Sequence, residues 1–382
     1  MMQDIEKIDW EKVLLADELR ASSSPLKKTV NLLIGIGSFF FRRSMPEVGV
    51  DSGAVLCVKS MERGDYEAQW ALTLDCIAGK KTCITIEFKR GLSLDPFKRL
   101  RGIVPAWRAS NQKKGPIARL SATLVALYCL DVLHSFRHAQ PAHVLFFAEM
   151  RPFENVLVQH YNTKNILTTT LQHGLFIDYG AKKTINRLNY EASCARQFLA
   201  WGEETGELIQ RFNPGAEIII CGALQIPEAA KECEPACVYV VLDADINRRE
   251  NEVLLEVGRR LGSALDLEIV ACLHPRNRRD FYRLQGYSFL SESDNYARAG
   301  FVLGHTTTQL LKLARQGKRV FKLKSEEPCN RLIPDAVCFS DFNELHSKIC
   351  EGNYPSEWAN AHIAHVGSKA VDKYRQFFNS WN

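Results

Sequence analysis

The stretch that decides the fold reads HVLFFAEM (143–150), RPFENVLVQHYNTKN (151–165), ILTTTLQHG (166–174), then RQFLAWG (196–202), EETGELIQRFNP (203–214) and AEIIICG (216–222). Short apolar, β-rich runs alternate with segments of helical patterning, and Pro214 stops one of those helices. This rhythm, with short connections, predicts a parallel sheet flanked by crossover helices. It returns after ALQIPEAAKECEP (223–235), whose prolines mark a junction between domains. CVYVVLD (237–243), LEIVACLHP (267–275), YSFLS (287–291), GFVLGHTTT (300–308) and KRVFKLK (318–324) read as strands. NRRENEVLLEVGRRLGSA (247–264), RNRRDFYRLQG (276–286) and QLLKLARQG (309–317) read as helices. The expectation is an α/β protein of two Rossmann-type domains, with parallel sheets facing across a central cleft. The boundaries are 1–225, 226–360 and a C-terminal helix, 361–382, that packs back on the first domain.

Size and composition agree. The 382 residues exceed one ordinary core and suit two domains. With 46% hydrophobic and 24% charged residues the chain is globular, not fibrous or disordered. A net charge of +5 excludes nucleic-acid binding driven by bulk charge. The 12 cysteines are scattered without a CxxC pair, and Cys57, Cys221 and Cys272 lie in apolar runs. They read as reduced core thiols of a cytosolic protein. The N-terminus is acidic and lacks the basic region of a secretory signal. NLLIGIGSFFF (31–41) is too short to span a bilayer and reads as a buried strand and turn. PIARLSATLVALYCLDVLHSF (116–136) reads as a long, mostly buried helix. His134 and His138 near its end have metal-ligand spacing but no third ligand, so they read as helix-terminal charges. Charge is concentrated in the segment 80–119, which holds eleven Lys or Arg against Glu87 and Asp95. With its interleaved apolar residues this segment suits an anionic membrane surface or a phosphate-bearing ligand, or is a solvated loop.

In open parallel sheets ligands gather beyond the carboxyl ends of the strands. The residues there are Glu149, Gln172–His173–Gly174, Trp201–Gly202, His274–Pro275 and His305 to Thr308. His173 can take a proton near neutral pH, as activation of a hydroxyl requires. His274, Pro275 and Arg276 to Arg279 combine a helix first turn with cationic side chains, an anion site. His305–Thr306–Thr307–Thr308 offers three hydroxyls where a cap needs one. Glu149 and Glu154, with Asp178 further on, are candidate bases, and Glu154 is a candidate to orient His173 or a favourable helix-start charge.

Taken in order, LQHG (171–174), FLAWG, EIIICG, CLHP (272–275) and DNYARAGFVLGHTTTQLLKLARQGKRVF (294–321) resemble the GT-B glycosyltransferases of bacterial capsule and lipopolysaccharide synthesis. Enzymes using CMP-sialic acid, CMP-Kdo or CDP-linked glycerophosphate carry similar HP and Ser/Thr elements. The resemblance covers His143 to Val320, and nothing comparable covers residues 1–140. It implies an inverting, cofactor-independent transferase moving a sugar from a CMP- or UDP-type donor to a hydroxyl of a surface-polysaccharide or lipid-linked glycan. His173 would be the base, with Glu154 or Glu149 as alternatives. Gln172, Gly174, His274, Pro275, Arg276, His305, Thr306, Thr307, Thr308 and Lys312 would meet the donor. No metal is expected, since Asp243–Ala244–Asp245 ends a strand in the donor half. No nucleic acid is expected as a partner, and the location expected is the cytoplasm, with segment 80–119 at the inner membrane face. Two departures stand out: Lys312 replaces a Glu proposed to bind ribose, and Gly317–Lys318–Arg319–Val320 replaces Gly-Lys-Pro-Val. The alternatives are a nucleotide-sugar 2-epimerase of the same fold, a CDP-donor polyol-phosphate transferase and a non-catalytic scaffold. The epimerase class has a Glu-rich segment where Lys312 stands.

Overall fold

The computed structural model describes residues 6–15, 32–33, 36, 45–60, 64–87, 102–113, 115–182, 184–227, 237–274, 277–289, 296, 298–325, 333–355 and 357–381. They form two compact units. One comprises residues 1–200, 205–220 and 374–382; the other comprises 201–204 and 221–373.

The first unit holds a six-stranded sheet made of β1 (Val55–Lys59), β2 (Lys81–Thr85), β3 (His143–Phe146), β4 (Leu167–Leu171), β5 (Gln197–Ala200) and β6 (Glu217–Ile220). Its order is β2-β1-β3-β4-β5-β6, and every neighbouring pair is parallel. The first two strands come from the region to which the resemblance did not extend. The helices are α1 (Trp10–Val13), α2 (Gly64–Asp75), α3 (Ile103–Ala109), α4 (Pro116–Ser135), α5 (Pro152–Thr163), α6 (Leu188–Glu191) and α7 (Glu203–Phe212). Both α4 and α5 start with proline in the first turn, where its missing N–H has no partner to lose. Among the described helices α4 alone is long and apolar enough to span a bilayer. It is a core helix instead: Cys129, Val132 and Leu133 pack with Leu56 and Val58 of β1, Val144 and Phe146 of β3, and Val156 and Leu157 of α5.

The second unit holds β7 (Cys237–Val241), β8 (Glu268–Cys272), β9 (Ser288–Phe289), β10 (Ala299–Gly304), β11 (Arg319–Leu323) and β12 (Cys338–Phe339). The order is β12-β11-β10-β7-β8-β9, again all parallel. Counted from β7 as the first strand, this is the 3-2-1-4-5-6 arrangement of dinucleotide-binding folds. Its helices are α8 (Arg248–Leu265), α9 (Thr308–Arg315) and α10 (Phe342–Glu351), and α11 (Gly367–Asn379) closes the chain. Both faces of the sheet are covered. Val238 and Val240 pack with Leu254 and Leu261 of α8, whereas Tyr239 and Val241 pack with Leu310 and Leu313 of α9. A strand buried on both sides has no polar face, which is why CVYVV reads as an unbroken apolar run.

Three expectations fail locally. Among the described residues, 277–286 do not form an α-helix: the one helical element there is a three-residue 3₁₀ turn, Arg279–Phe281. Arg278 and Arg279 lie over the Phe281 and Phe289 rings at 4.4 and 4.3 Å, and Arg278 pairs with Asp280. Local cation–aromatic and ionic contacts thus hold these side chains along the surface. Leu32, Leu33 and Ile36 are helical, not strand, and the rest of 31–41 lies outside the described residues. The cysteines are not uniformly internal, since Cys83 on the edge strand β2 and Cys350 are exposed.

The glycines of the WG and CG pairs have a packing reason. In the second unit the segment 361–365 crosses Gly202 and Gly222 so closely that a Cβ on either would strike backbone atoms of Ala361, His362 or His365. Ala364 N donates to Trp201 O at 2.8 Å and Ala223 N donates to His365 O at 2.9 Å. Gly222 also has φ +82°, a backbone region open mainly to glycine.

Candidate functional site

In the second unit the strand order reverses between β7 and β10, and in open parallel sheets the carboxyl ends of the strands at such a reversal are where ligands gather. Asp243 lies just beyond β7, and His305 and Thr306 follow β10 directly. Asp243 is the hub. Its Oδ2 accepts from His305 Nδ1 at 3.0 Å, Thr306 N at 3.0 Å, Thr306 Oγ1 at 2.5 Å and Asn247 Nδ2 at 3.1 Å. Its backbone O accepts from Asn251 and Asn277 side chains, and its N–H donates to Asn251 Oδ1. Burial pushes the Asp243 carboxyl up, but the bonds from His305 and Thr306 outweigh it and hold the group below its ordinary value. His305 is fully buried, and its Nε2 meets Ser325 Oγ at 2.5 Å.

The three threonines divide their work. Thr306 binds Asp243, Thr307 caps α9 by accepting from Gln309 N at 3.3 Å, and Thr308 is the first helical residue. The excess of hydroxyls over capping needs is thus partly absorbed by Asp243. Lys312 lies one turn further along α9. His274 closes a turn by accepting from Asn277 N at 2.8 Å. Pro275 and Arg276 lie outside the described residues. Among the described residues that follow, the chain makes only the 3₁₀ turn Arg279–Phe281.

In the first unit the order reverses between β1 and β3, and Glu154 of α5 bridges the ends of these two strands. Its Oε1 accepts from Ser60 N and Ser60 Oγ, each at 2.7 Å, and its Oε2 from Ala148 N at 2.6 Å. Burial pushes its carboxyl up to about 7 against the pull of these bonds. Glu154 therefore does not orient His173: its hydrogen bonds go to Ser60 and Ala148. Glu149 is likewise committed. Its oxygens accept from Ser193 Oγ at 2.7 Å, Cys194 N at 2.9 Å and Ala195 N at 2.7 Å, tying the loop after β3 to the turn before β5. Burial raises its pKa, and the same bonds oppose the rise. Asp178 stabilises a surface turn through Gly180 N and pairs with Arg211.

His173 follows β4 and is 7% exposed. Its ring lies edge-on to Tyr66 and Phe176, each at 5.5 Å, and tilted against Phe147 at 5.9 Å. Gln172 N bonds Leu199 O at 3.0 Å, and Gln172 Nε2 donates to Gly174 O at 2.9 Å, which fixes the turn carrying His173. Gly174 has neither a positive φ nor any atom within 4 Å of the Cβ it lacks. The fold itself makes no demand for glycine there.

The residues missed in sequence are Asp243 as hub, Asn247, Asn251 and Ser325. The spacing of Asp243, Asn247 and Asn251 at four-residue intervals was a readable signal of one shared face. His134 and His138 both contact Arg137, and no group of three potential metal ligands occurs among the described residues.

No family model and no curated protein sequence matches the chain. Solved structures do. A UDP-GlcNAc 2-epimerase from Methanocaldococcus jannaschii, solved with UDP-GlcNAc and UDP, has a TM-score of 0.52 and 11% identity, covering 86% of this chain and all (100%) of its own. A second structure of that enzyme has a TM-score of 0.52 and 10% identity, covering 87% and 100%. UDP-GlcNAc 2-epimerase from Neisseria meningitidis bound to UDP-GlcNAc has a TM-score of 0.49 and 12% identity, covering 86% and 98%. At such identities the likeness is one of architecture: two α/β units, each with six parallel strands, of the GT-B-like fold.

Proposed function

We propose that this chain is an enzyme that binds a nucleotide-activated sugar in its second unit and breaks the bond between the anomeric carbon and the phosphate. The observation that carries this reading is the Asp243 network at the β7–β10 reversal. It fixes Thr306 and the capped start of α9 where a departing phosphate needs donors that do not reorganise. Thr308 and the first turn of α9 are assigned to that phosphate. His173 is assigned the proton transfer, since imidazole exchanges a proton near neutral pH. Glu154 and Glu149 act as positioning residues for the loops after β1, β3 and β4.

Two reactions begin this way. Epimerisation at the neighbouring carbon, with the nucleotide leaving and returning, is the reading supported by the UDP-GlcNAc 2-epimerases of like fold. Transfer to a hydroxyl of a surface glycan or lipid-linked acceptor is the second reading; Lys312 of α9 departs from the acidic residue of both classes, so the experiment decides between them. The substrate test is calorimetry with CMP, CDP, UDP and GDP and their sugars. Incubation of the preferred nucleotide sugar in heavy water then separates the reactions. Deuterium at the sugar's second carbon without acceptor identifies the epimerase; acceptor-dependent nucleotide release without deuterium identifies the transferase. Binding of none of these nucleotides refutes the reading. His173→Ala is expected to abolish turnover and leave nucleotide affinity unchanged.

A further inference from the structure

From Pro96 to Leu130 the sequence carries seven Lys or Arg and no Asp or Glu. The described part of this stretch folds as a hairpin of α3 and α4 on the first unit. The hairpin is firmly built. Ala106, Ala126 and Leu127 form its small core, and Ser110 Oγ meets Thr123 Oγ1 at 2.8 Å in its interior. Its outer side is unusual for a soluble surface. Ile103, Val104 and Trp107 share one face of α3, Ile117 and Leu120 share one face of α4, and all five are between 38% and 56% exposed. They make up five of the eleven large apolar side chains exposed among the described residues. Arg119 of α4 lies 3.9 Å over the Trp107 ring, and Arg108 is exposed beside it.

We infer that this hairpin docks on an anionic lipid bilayer, with Ile103, Val104, Trp107, Ile117 and Leu120 entering the interfacial layer and the cations meeting lipid headgroups. An exposed apolar patch needs an occupant, and the charge selects which. A two-fold dimer through this face would set its cations against themselves. An anionic headgroup layer neutralises them while accepting the apolar side chains, with the tryptophan at the depth that indole prefers. The helix is not free to cross: one face of α4 beyond Leu120, with Ala122, Ala126, Cys129, Val132 and Leu133, is buried in the protein core.

The test is co-sedimentation of the full chain with phosphatidylcholine vesicles, with and without a minor fraction of phosphatidylserine. Binding is expected only with phosphatidylserine, and high salt is expected to release it. Val104→Glu together with Trp107→Ser is expected to weaken the partition by about tenfold or more, and Arg108→Glu by about fivefold. All three positions are exposed, so an unchanged melting midpoint is expected to accompany the loss. Failure to bind anionic vesicles at low salt overturns the proposal, as does equal binding to neutral ones. A dimer in light scattering that these variants dissociate assigns the face to a second copy and overturns it too.

Discussion

His305 Nδ1 lies 3.0 Å from Asp243 Oδ2 across the two strands, β7 and β10, between which the second sheet reverses its order. The two residues are 62 positions apart in the chain, and the bond joins the loops that follow β7 and β10. Everything assigned to the phosphate is braced by it, because the same carboxylate oxygen also holds Thr306 at the entrance to α9.

Asp243→Ala leaves the buried His305 Nδ1 and the half-buried Thr306 N–H without their acceptor. Each orphaned group costs roughly 1–3 kcal/mol, so urea unfolding should show a loss of several such increments. Nucleotide affinity is expected to fall by about tenfold through misplaced donors. Because the native Asp243 carboxyl is held below its ordinary value, its contribution is present above the unfolded pKa and is lost as pH falls through the lower native one. Unchanged acid sensitivity in the variant would refute this account.

Glu154 has the opposite sign. Its carboxyl rises from 4.5 to about 7 on folding, so the native state holds a proton that the unfolded state has released. Its contribution is complete below pH 4.5 and declines as pH rises through about 7. The span amounts to about 3 kcal/mol. Chemical denaturation at a series of pH values should show this downward slope, and Glu154→Gln should flatten it. Gln also cannot accept at every position the carboxylate serves, so the variant should be weaker overall.

Gly222→Ala places a methyl against the His365 backbone at φ +82° and should destabilise the protein by more than about 1 kcal/mol. Gly174→Ala, with nothing within 4 Å, should leave the melting temperature unchanged. Equal melting shifts for the two would contradict the crossing of 361–365 over Gly222.

Cys57 and Cys83 are direct partners across β1 and β2. A hydrogen bond from Cys57 lowers the Cys83 thiol against the rise due to burial, with Lys81 and Lys59 assisting. Iodoacetamide near neutral pH should therefore label Cys83 ahead of Cys350, the other exposed thiol among the described residues, and Cys57→Ala should slow that labelling. Mass spectrometry of the peptides reads the order directly.

The alternation of strands and helices from His143 to Lys324 was legible because doubly covered parallel strands are built mostly of apolar or β-branched residues, as in CVYVV and LTTTL, and helices between such strands are amphipathic. That pattern is local, so it survives in one-dimensional text. It also marked the strand ends, and hence His173, His305 and the threonines, as the positions to watch. The failures have a common cause. RNRRDFYRLQG has helical composition, yet its arginines find aromatic rings and Asp280 at once and the chain stays in a single turn. Glu154 and Glu149 look like free acids near strand ends, but loops from elsewhere in the sequence surround them with donors.

Sequence alone determined the class of element at each place and the approximate rim on which chemistry can occur, since both follow from periodicity and backbone preference within a few residues. Tertiary structure decided the order of strands, and with it which rim residues meet. No local rule could pair Asp243 with His305, reserve Thr306 for that pair, or explain Gly202 and Gly222, because each depends on chain segments brought together only when the sheets close and burial makes every unpaired polar group expensive.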